Sequence, residues 1–282
     1  MAANLAAGAV LSVPGAELYY EVRGSGPLLL IGESGEGDAG RSVDMVDRLV
    51  ADYTVVTYDR RGLSRSTLAD LAAPVSIGDH ADDVARLLVE VADRPAAMLG
   101  LSMGGLIGLR VAATRPELLH TLIAHEPVAP WLLSDAERDA HRGELSAIRE
   151  VHARAGMGGA FPAITAHLGI EPGVEEREPD LTAQPMTARR MANFDFFIGR
   201  EFPAVVDDVL PLDPVRSSAT RIVPGVGATT GRRVFTRRCA VALEGVVGVE
   251  AAVFPGGHNG NLTHPRAFAA AVRGVLEGGV VG

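Results

Sequence analysis

The chain has 282 residues, 47% hydrophobic and 22% charged, with a net charge of −9 and a single cysteine, Cys239. That is apolar material for a large core, an acidic balance that argues against a nucleic-acid partner, and too few cysteines for an internal disulfide or a cysteine-cluster metal site. Residues 1–13 are mildly apolar without a basic flank, a poor signal peptide, and no run approaches the ~18 apolar residues of a membrane span, so a soluble, cytoplasmic protein with no membrane partner is expected.

Residues 16–23 (AELYYEVR) alternate well enough for an edge strand, turned back by Gly24-Ser25-Gly26. Residues 27–31 form an apolar interior strand that runs into the glycine-rich loop Gly32-Glu33-Ser34-Gly35-Glu36-Gly37. A helix over 39–51 and a buried strand over 53–58 follow, closed by Asp59-Arg60-Arg61-Gly62, where a buried Asp–Arg pair bracing the sheet edge is the expectation. Residues 76–91 are amphipathic, with Ile77, Val84, Leu87, Leu88 and Val91 on one face. A strand over 97–99, a helix to Arg115 and a strand over 120–125 come next.

Strand alternating with helix predicts an α/β fold with a mostly parallel, doubly wound sheet. Between 127 and 214 no strand pattern is visible. Helical stretches at 135–155 and 187–197 surround an acidic run, 171–180, that reads as a solvated loop. We take 127–214 as a helical cap inserted into a core formed by 1–126 and 215–282. Strand patterns return at 221–227 and 249–254, and a helix over 264–276 closes the chain; the basic stretch 232–238 reads as a solvated helix face. No internal repeat and no metal-ligand spacing is present, and neither a metal nor a cofactor is expected.

The sequence Gly100-Leu101-Ser102-Met103-Gly104 lies between the strand and the apolar helix, which is the context that gives Gly-x-Ser-x-Gly meaning. The chain must pass from strand to helix at Ser102, and a β-carbon at Gly100 or Gly104 would collide with neighbouring backbone. A serine hydroxyl is a weak nucleophile and needs a base. His258, in the loop Pro255-Gly256-Gly257-His258 after the last strand, is the candidate; His125 competes, and the other six histidines read as helix or cap surface.

The acid that orients the base commonly follows the penultimate strand, but the loop there, Gly225 to Gly231, has no carboxylate. Glu126, at the carboxyl end of the neighbouring strand, is the substitute, with a capping or salt-bridge role as its alternative. The amide of Met103 is one expected oxyanion donor. The other comes from Gly32 or Glu33: glycine lets the backbone close on a substrate, while a Glu33 carboxylate would oppose an oxyanion unless turned away or neutralised by Arg60 or Arg61. Trp131, Phe194 and Phe197 in the cap either face an apolar substrate or hold the cap down, and Glu33 is counted with them as a substrate contact.

Tyr-Asp-Arg-Arg-Gly-Leu-Ser, Gly-Leu-Ser-Met-Gly-Gly and Phe-Pro-Gly-Gly-His resemble the α/β-hydrolase superfamily over nearly the whole chain. His125-Glu126-Pro127 and the carboxylate-free loop 226–229 are similar to the zearalenone lactonases. That resemblance implies Ser102, His258 and Glu126 as a triad, with Gly32 and Met103 as oxyanion donors, acting on an apolar ester or lactone. The loop at 32–37 departs from the Asp-Gly-Leu-Gly type expected in that group. A non-hydrolytic tailoring enzyme, a cyclase or lyase on the same scaffold, is the alternative, and a dehalogenase would need a carboxylate where Ser102 stands.

Overall fold

Short β-branched and leucine-rich runs bounded by turn residues are suited to strands covered on both faces, and they form the centre of the sheet. The computed structural model describes residues 7–170, 173 and 176–278. Residues 1–6 of the amino-terminal segment and 171, 172, 174 and 175 of the acidic run lie outside the described residues.

The strands are β1 (Ala7–Val13), β2 (Ala16–Gly24), β3 (Leu28–Gly32), β4 (Thr54–Tyr58), β5 (Thr67–Leu68), β6 (Ala96–Leu101), β7 (Leu119–His125), β8 (Arg221–Gly227) and β9 (Ala252–Phe254). They make one sheet in the order β1-β2-β4-β3-β6-β7-β8-β9, with β5 paired to β2. From β4 to β9 every pairing is parallel. The amino-terminal hairpin is antiparallel, Ala7 opposite Val22 through Val13 opposite Ala16. Neither β1 nor the two-residue β5 was expected: the run AGAVLSV carries no clear alternation and only its partner strand organises it.

The helices on the sheet are α1 (Val43–Leu49), α2 (Ile77–Val91) and α3 (Met103–Thr114). The period-two rule sorts the interior. Leu30, Val56 and Met98 pack with α2 and α3, while Leu29, Ile31, Val55, Ala97 and Leu99 face the α1 side. Burying each of these leucine, isoleucine, valine and methionine side chains contributes roughly 1.5–3 kcal/mol. Helix α2 begins where Ser76 caps it: Ser76 Oγ accepts from Asp79 N at 3.0 Å and Asp79 Oδ2 accepts from Ser76 N at 2.9 Å. Helix α1 is shorter than the expected 39–51, because Asp38 and Asp59 take the amides of Gly40 and Ala39 into a turn instead.

Between β7 and β8 lie α4 (Asp135–His167), α5 (Ala188–Phe196), a π-helical turn (Phe197–Glu201), α6 (Phe202–Asp207) and α7 (Leu212–Arg216). Gly156 breaks α4 at φ 62° and ψ −168°. The rings of His141 and His167, 26 residues apart, stack with centroids 4.8 Å from each other, so α4 folds back on itself at that glycine. Only its first arm, expected over 135–155, was legible. Helix α8 (Phe235–Val247) follows β8, and α9 (Gly260–Thr263) and α10 (Pro265–Leu276) follow β9. Cys239, in α8, is fully buried; its thiol donates to the Ala129 carbonyl at 3.4 Å, and burial pushes its pKa well above the usual range. Among the described residues no helix is long and apolar enough to cross a membrane.

Candidate active site

Ser102 stands between β6 and α3 with φ 53° and ψ −106°, a conformation that costs a non-glycine residue roughly 1–3 kcal/mol. The surrounding backbone holds it there: Ser102 N donates to the His125 carbonyl at 2.9 Å, and its own carbonyl accepts from Gly105 N at 3.0 Å. A β-carbon on Gly104 would stand 2.0 Å from the Gly32 carbonyl oxygen, and one on Gly100 2.5 Å from that of Gly104. Those contacts are why the bend requires glycine at both positions. Met103 is the first residue of α3, where an amide has no partner within the helix.

Glu126 follows β7 at φ 42°, fixed by its amide donating to the Gly225 carbonyl at 2.9 Å. Its Oε2 accepts from His258 Nδ1 at 2.7 Å and its Oε1 from Gly227 N at 2.9 Å. The Thr236 hydroxyl, 3.3 Å from Oε2 and 3.2 Å from His258 Nδ1, completes the group. Burial would raise the Glu126 carboxyl, but the His258 ring, the nearby His125 and the Gly227 amide outweigh it and bring it to about 2. The carboxylate-free loop after β8 thus contributes an amide to an acid on the adjacent strand. Thr236 had no signal in the sequence, because its role depends on α8 packing over β8.

Ser102 and His258 line one cavity of about 250 Å³. With Nδ1 donating to Glu126, His258 keeps Nε2 as its accepting nitrogen. His125 is excluded from such work: it is packed edge-on against Phe254 and Phe268, neither ring nitrogen has a partner, and burial lowers its pKa to about 4.

The loop after β3 is gripped by Arg60. Its guanidinium donates to the carbonyls of Glu33 (3.0 Å), Ser34 (2.5 Å) and Gly35 (2.8 Å) and pairs with Glu201 through Nε (3.0 Å) and Nη2 (2.8 Å). His80 Nε2 lies 2.9 Å from Glu201 Oε1. The expected Asp59 partnership with Arg60 or Arg61 is not formed. Asp59 pairs with Arg65 at 2.7 Å and Arg61 with Asp83 at 2.6 Å, because Arg60 is drawn to the π-helical turn instead.

Glu33 does not line the cavity. Its side chain is buried without a hydrogen bond to either oxygen; burial raises its carboxyl to about 7, against the pull of the Ser42 hydroxyl and Arg41. Arg60 therefore meets its carbonyl, not its carboxylate. Phe194 and Phe197 do line the cavity, with Leu145, Ile148, Phe161 and Phe202. Trp131 does not: its Nε1 donates to Asp208 Oδ2 at 3.1 Å, which ties the segment after β7 to the end of α6. Glu36, which pairs with Arg41 and Arg190, forms a polar border.

Four further residues depart from the sequence reading. His80 is buried, and His141 and His167 meet at Glu144, where their ligand-type atoms lie within 4.8 Å of one another. Arg237 is no solvated side chain: its Nη1 donates to the Gly227 carbonyl at 2.8 Å and the Thr230 carbonyl at 3.2 Å, bracing the turn that presents the Gly227 amide.

The profile described as the alpha/beta hydrolase family matches residues 34–271. The chain belongs to the alpha/beta hydrolase family. Its mostly parallel sheet, order and helical layers are those of an α/β-hydrolase fold. The hydrolase is 32% identical over 271 residues to an uncharacterized hydrolase, YraK, of Bacillus subtilis (strain 168), covering 95% of each chain. It is 36% identical over 107 residues to a putative carbamate hydrolase, RutD, of Azorhizobium caulinodans, covering 38% of this chain and 40% of that one. Among solved structures, the esterase EaEST of Exiguobacterium antarcticum superposes with a TM-score of 0.75 at 18% identity, covering 95% of this hydrolase and 98% of the esterase. A hydrolase of Pseudomonas aeruginosa PA01 does so with a TM-score of 0.72 at 23% identity, over 97% and 99%. At these identities the structural likeness speaks for the fold alone.

Proposed function

We propose that this hydrolase cleaves carboxylic esters or lactones through an acyl-enzyme on Ser102. The observation that carries the reading is the 2.7 Å contact between Glu126 Oε2 and His258 Nδ1, on a histidine that shares its cavity with Ser102. Ser102 Oγ attacks the carbonyl carbon while His258 Nε2 takes its proton. Glu126 holds the ring in the tautomer that leaves Nε2 free and stabilises the imidazolium that forms. The Met103 amide and an amide from Gly32 or Glu33 receive the developing oxyanion; one such donor contributes roughly 100- to 1,000-fold in rate. His258 then protonates the leaving alcohol and activates the water that releases the acid.

Residues 127–214 serve in this reading as the cap, and Phe194 and Phe197 as the apolar contacts that select a hydrophobic substrate. A macrolactone of the zearalenone kind is the finest substrate assignment that His125-Glu126-Pro127 and the loop 226–229 support. Glu33, the feature that favoured a non-hydrolytic enzyme, has its carboxyl away from the cavity, so we do not retain that alternative.

Labelling with a fluorophosphonate tests the chemistry: stoichiometric modification of Ser102 in folded protein is expected, and absence of labelling overturns the reading. A panel of nitrophenyl esters, zearalenone and an aryl carbamate then separates ester, lactone and the class in the name of the RutD relative.

A further inference from the structure

The fold-back at Gly156 brings both arms of α4 to the cavity. They present apolar side chains, Leu145, Ile148, Phe161 and Ile164, and, among the described residues of α4, two polar ones, Thr165 and His167. Thr165 Oγ1 donates to the Pro162 carbonyl at 3.0 Å, so its proton is used within the helix. His167 is held differently. Its Nδ1 lies 3.2 Å from Glu144 Oε2, and its ring stacks on His141 at a 17° interplanar angle. His141 Nδ1 addresses the same carboxylate oxygen at 3.3 Å and stacks in turn on Phe235. His141 makes the hydrogen bond to that oxygen, and His167 meets it as a close electrostatic contact. The acid sits on the outside, 58% exposed, while the His167 side chain is 12% exposed.

Held by a ring stack with one carboxylate beside it, His167 has a fixed plane. The negative charge of Glu144, 3.2 Å from Nδ1, favours the tautomer with its hydrogen there, and burial lowers the pKa of the ring, so the neutral imidazole offers Nε2 as a lone-pair acceptor. In an apolar pocket, such an oriented acceptor discriminates in favour of a group that donates to it, because leaving it unpaired beside an apolar ligand carries a desolvation penalty.

We propose that His167 is a specificity-determining residue whose Nε2 accepts a hydrogen bond from a hydroxyl of the substrate, so that the preferred ester or lactone is apolar except for a free hydroxyl. This rests on the hydrolase reading above and names the substrate class within it. His258 and His167 then divide the work: one imidazole addresses the bond that breaks, the other the identity of the molecule that carries it.

The test is a ratio. We compare kcat/KM for 4-nitrophenyl 3-phenylpropanoate with that for its 3- and 4-hydroxyphenyl analogues. A preference of roughly three- to tenfold for one hydroxylated isomer is expected, the size of one net hydrogen bond. The ratio should fall to about 1 in His167→Phe, persist in part in His167→Gln, and fall in Glu144→Ala, whose surface position makes misfolding a poor explanation. A ratio of about 1 for both isomers in the unaltered enzyme, or one unchanged in both His167→Phe and Glu144→Ala, overturns the proposal. A measurement without turnover separates it from the hydrolase reading: 4-ethylphenol should raise the melting temperature more than ethylbenzene, and this advantage should disappear in the same two variants. If it does so in a protein that cleaves no ester, the hydrolase reading falls and the role of His167 as hydroxyl acceptor stands.

Discussion

Glu126 reaches His258 across 132 residues of sequence, and the two meet because β7 and β9 flank β8, whose Gly227 amide binds the same carboxylate. Glu126→Gln keeps the shape but places an amide opposite Nδ1 and disfavours the productive tautomer. We expect kcat to fall roughly 1,000- to 10,000-fold with the fold intact. Steady-state kinetics on a nitrophenyl ester, with circular dichroism as the control, measures it; a loss under tenfold would place the orienting acid elsewhere.

Glu33 makes stability fall as pH rises. Its folded-state pKa, about 7, lies above the ordinary carboxylate value, so the folded state binds this proton more tightly than the unfolded chain. The favourable contribution is present below the unfolded pKa and is lost as pH rises through about 7. Glu33→Gln mimics the protonated form at every pH. We expect its melting temperature to match the parent near pH 4 and exceed it by roughly 3–6 °C at pH 9, as read by scanning calorimetry.

Arg60 and Glu201 are both fully buried and neutralise each other while Arg60 holds three carbonyls of the loop after β3. Arg60→Gln strands a buried carboxylate and should destabilise by about 3–5 kcal/mol. Adding Glu201→Gln removes the stranded charge and should recover stability without recovering kcat, since the loop carbonyls still lack their donor. Denaturant melts and kinetics on the three variants form the cycle.

Gly104→Ala tests the closest approach in the site. The new methyl would stand 2.0 Å from the Gly32 carbonyl oxygen, so β3 and α3 must separate. Because that separation moves the candidate oxyanion amides apart, we expect more than a 100-fold loss in kcat, together with a lower melting temperature. Retained activity would show that the loop does not take part.

The strands β3, β4, β6, β7 and β8 were legible because uninterrupted burial leaves an apolar run, and Ser102 because only a bend needs glycine on both sides of it. Glu126 was reached by the absence of a carboxylate after β8. What escaped had its cause in a distant segment. The strand β1 exists through its pairing with β2, Thr236 acts through the placement of α8, and Arg60 chose Glu201, 141 residues away, over its neighbour Asp59. His141 and His167 looked like helix surface because nothing local announces that Gly156 turns α4 back on itself.

Cys239 shares α8 with Thr236, three residues after the hydroxyl that touches both Glu126 and His258. As a sealed, protonated thiol it is inert to alkylating reagents until α8 lifts from the sheet. The rate at which iodoacetamide consumes it therefore clocks the transient exposure of the helix that supports the imidazole, using a reporter the native chain already carries.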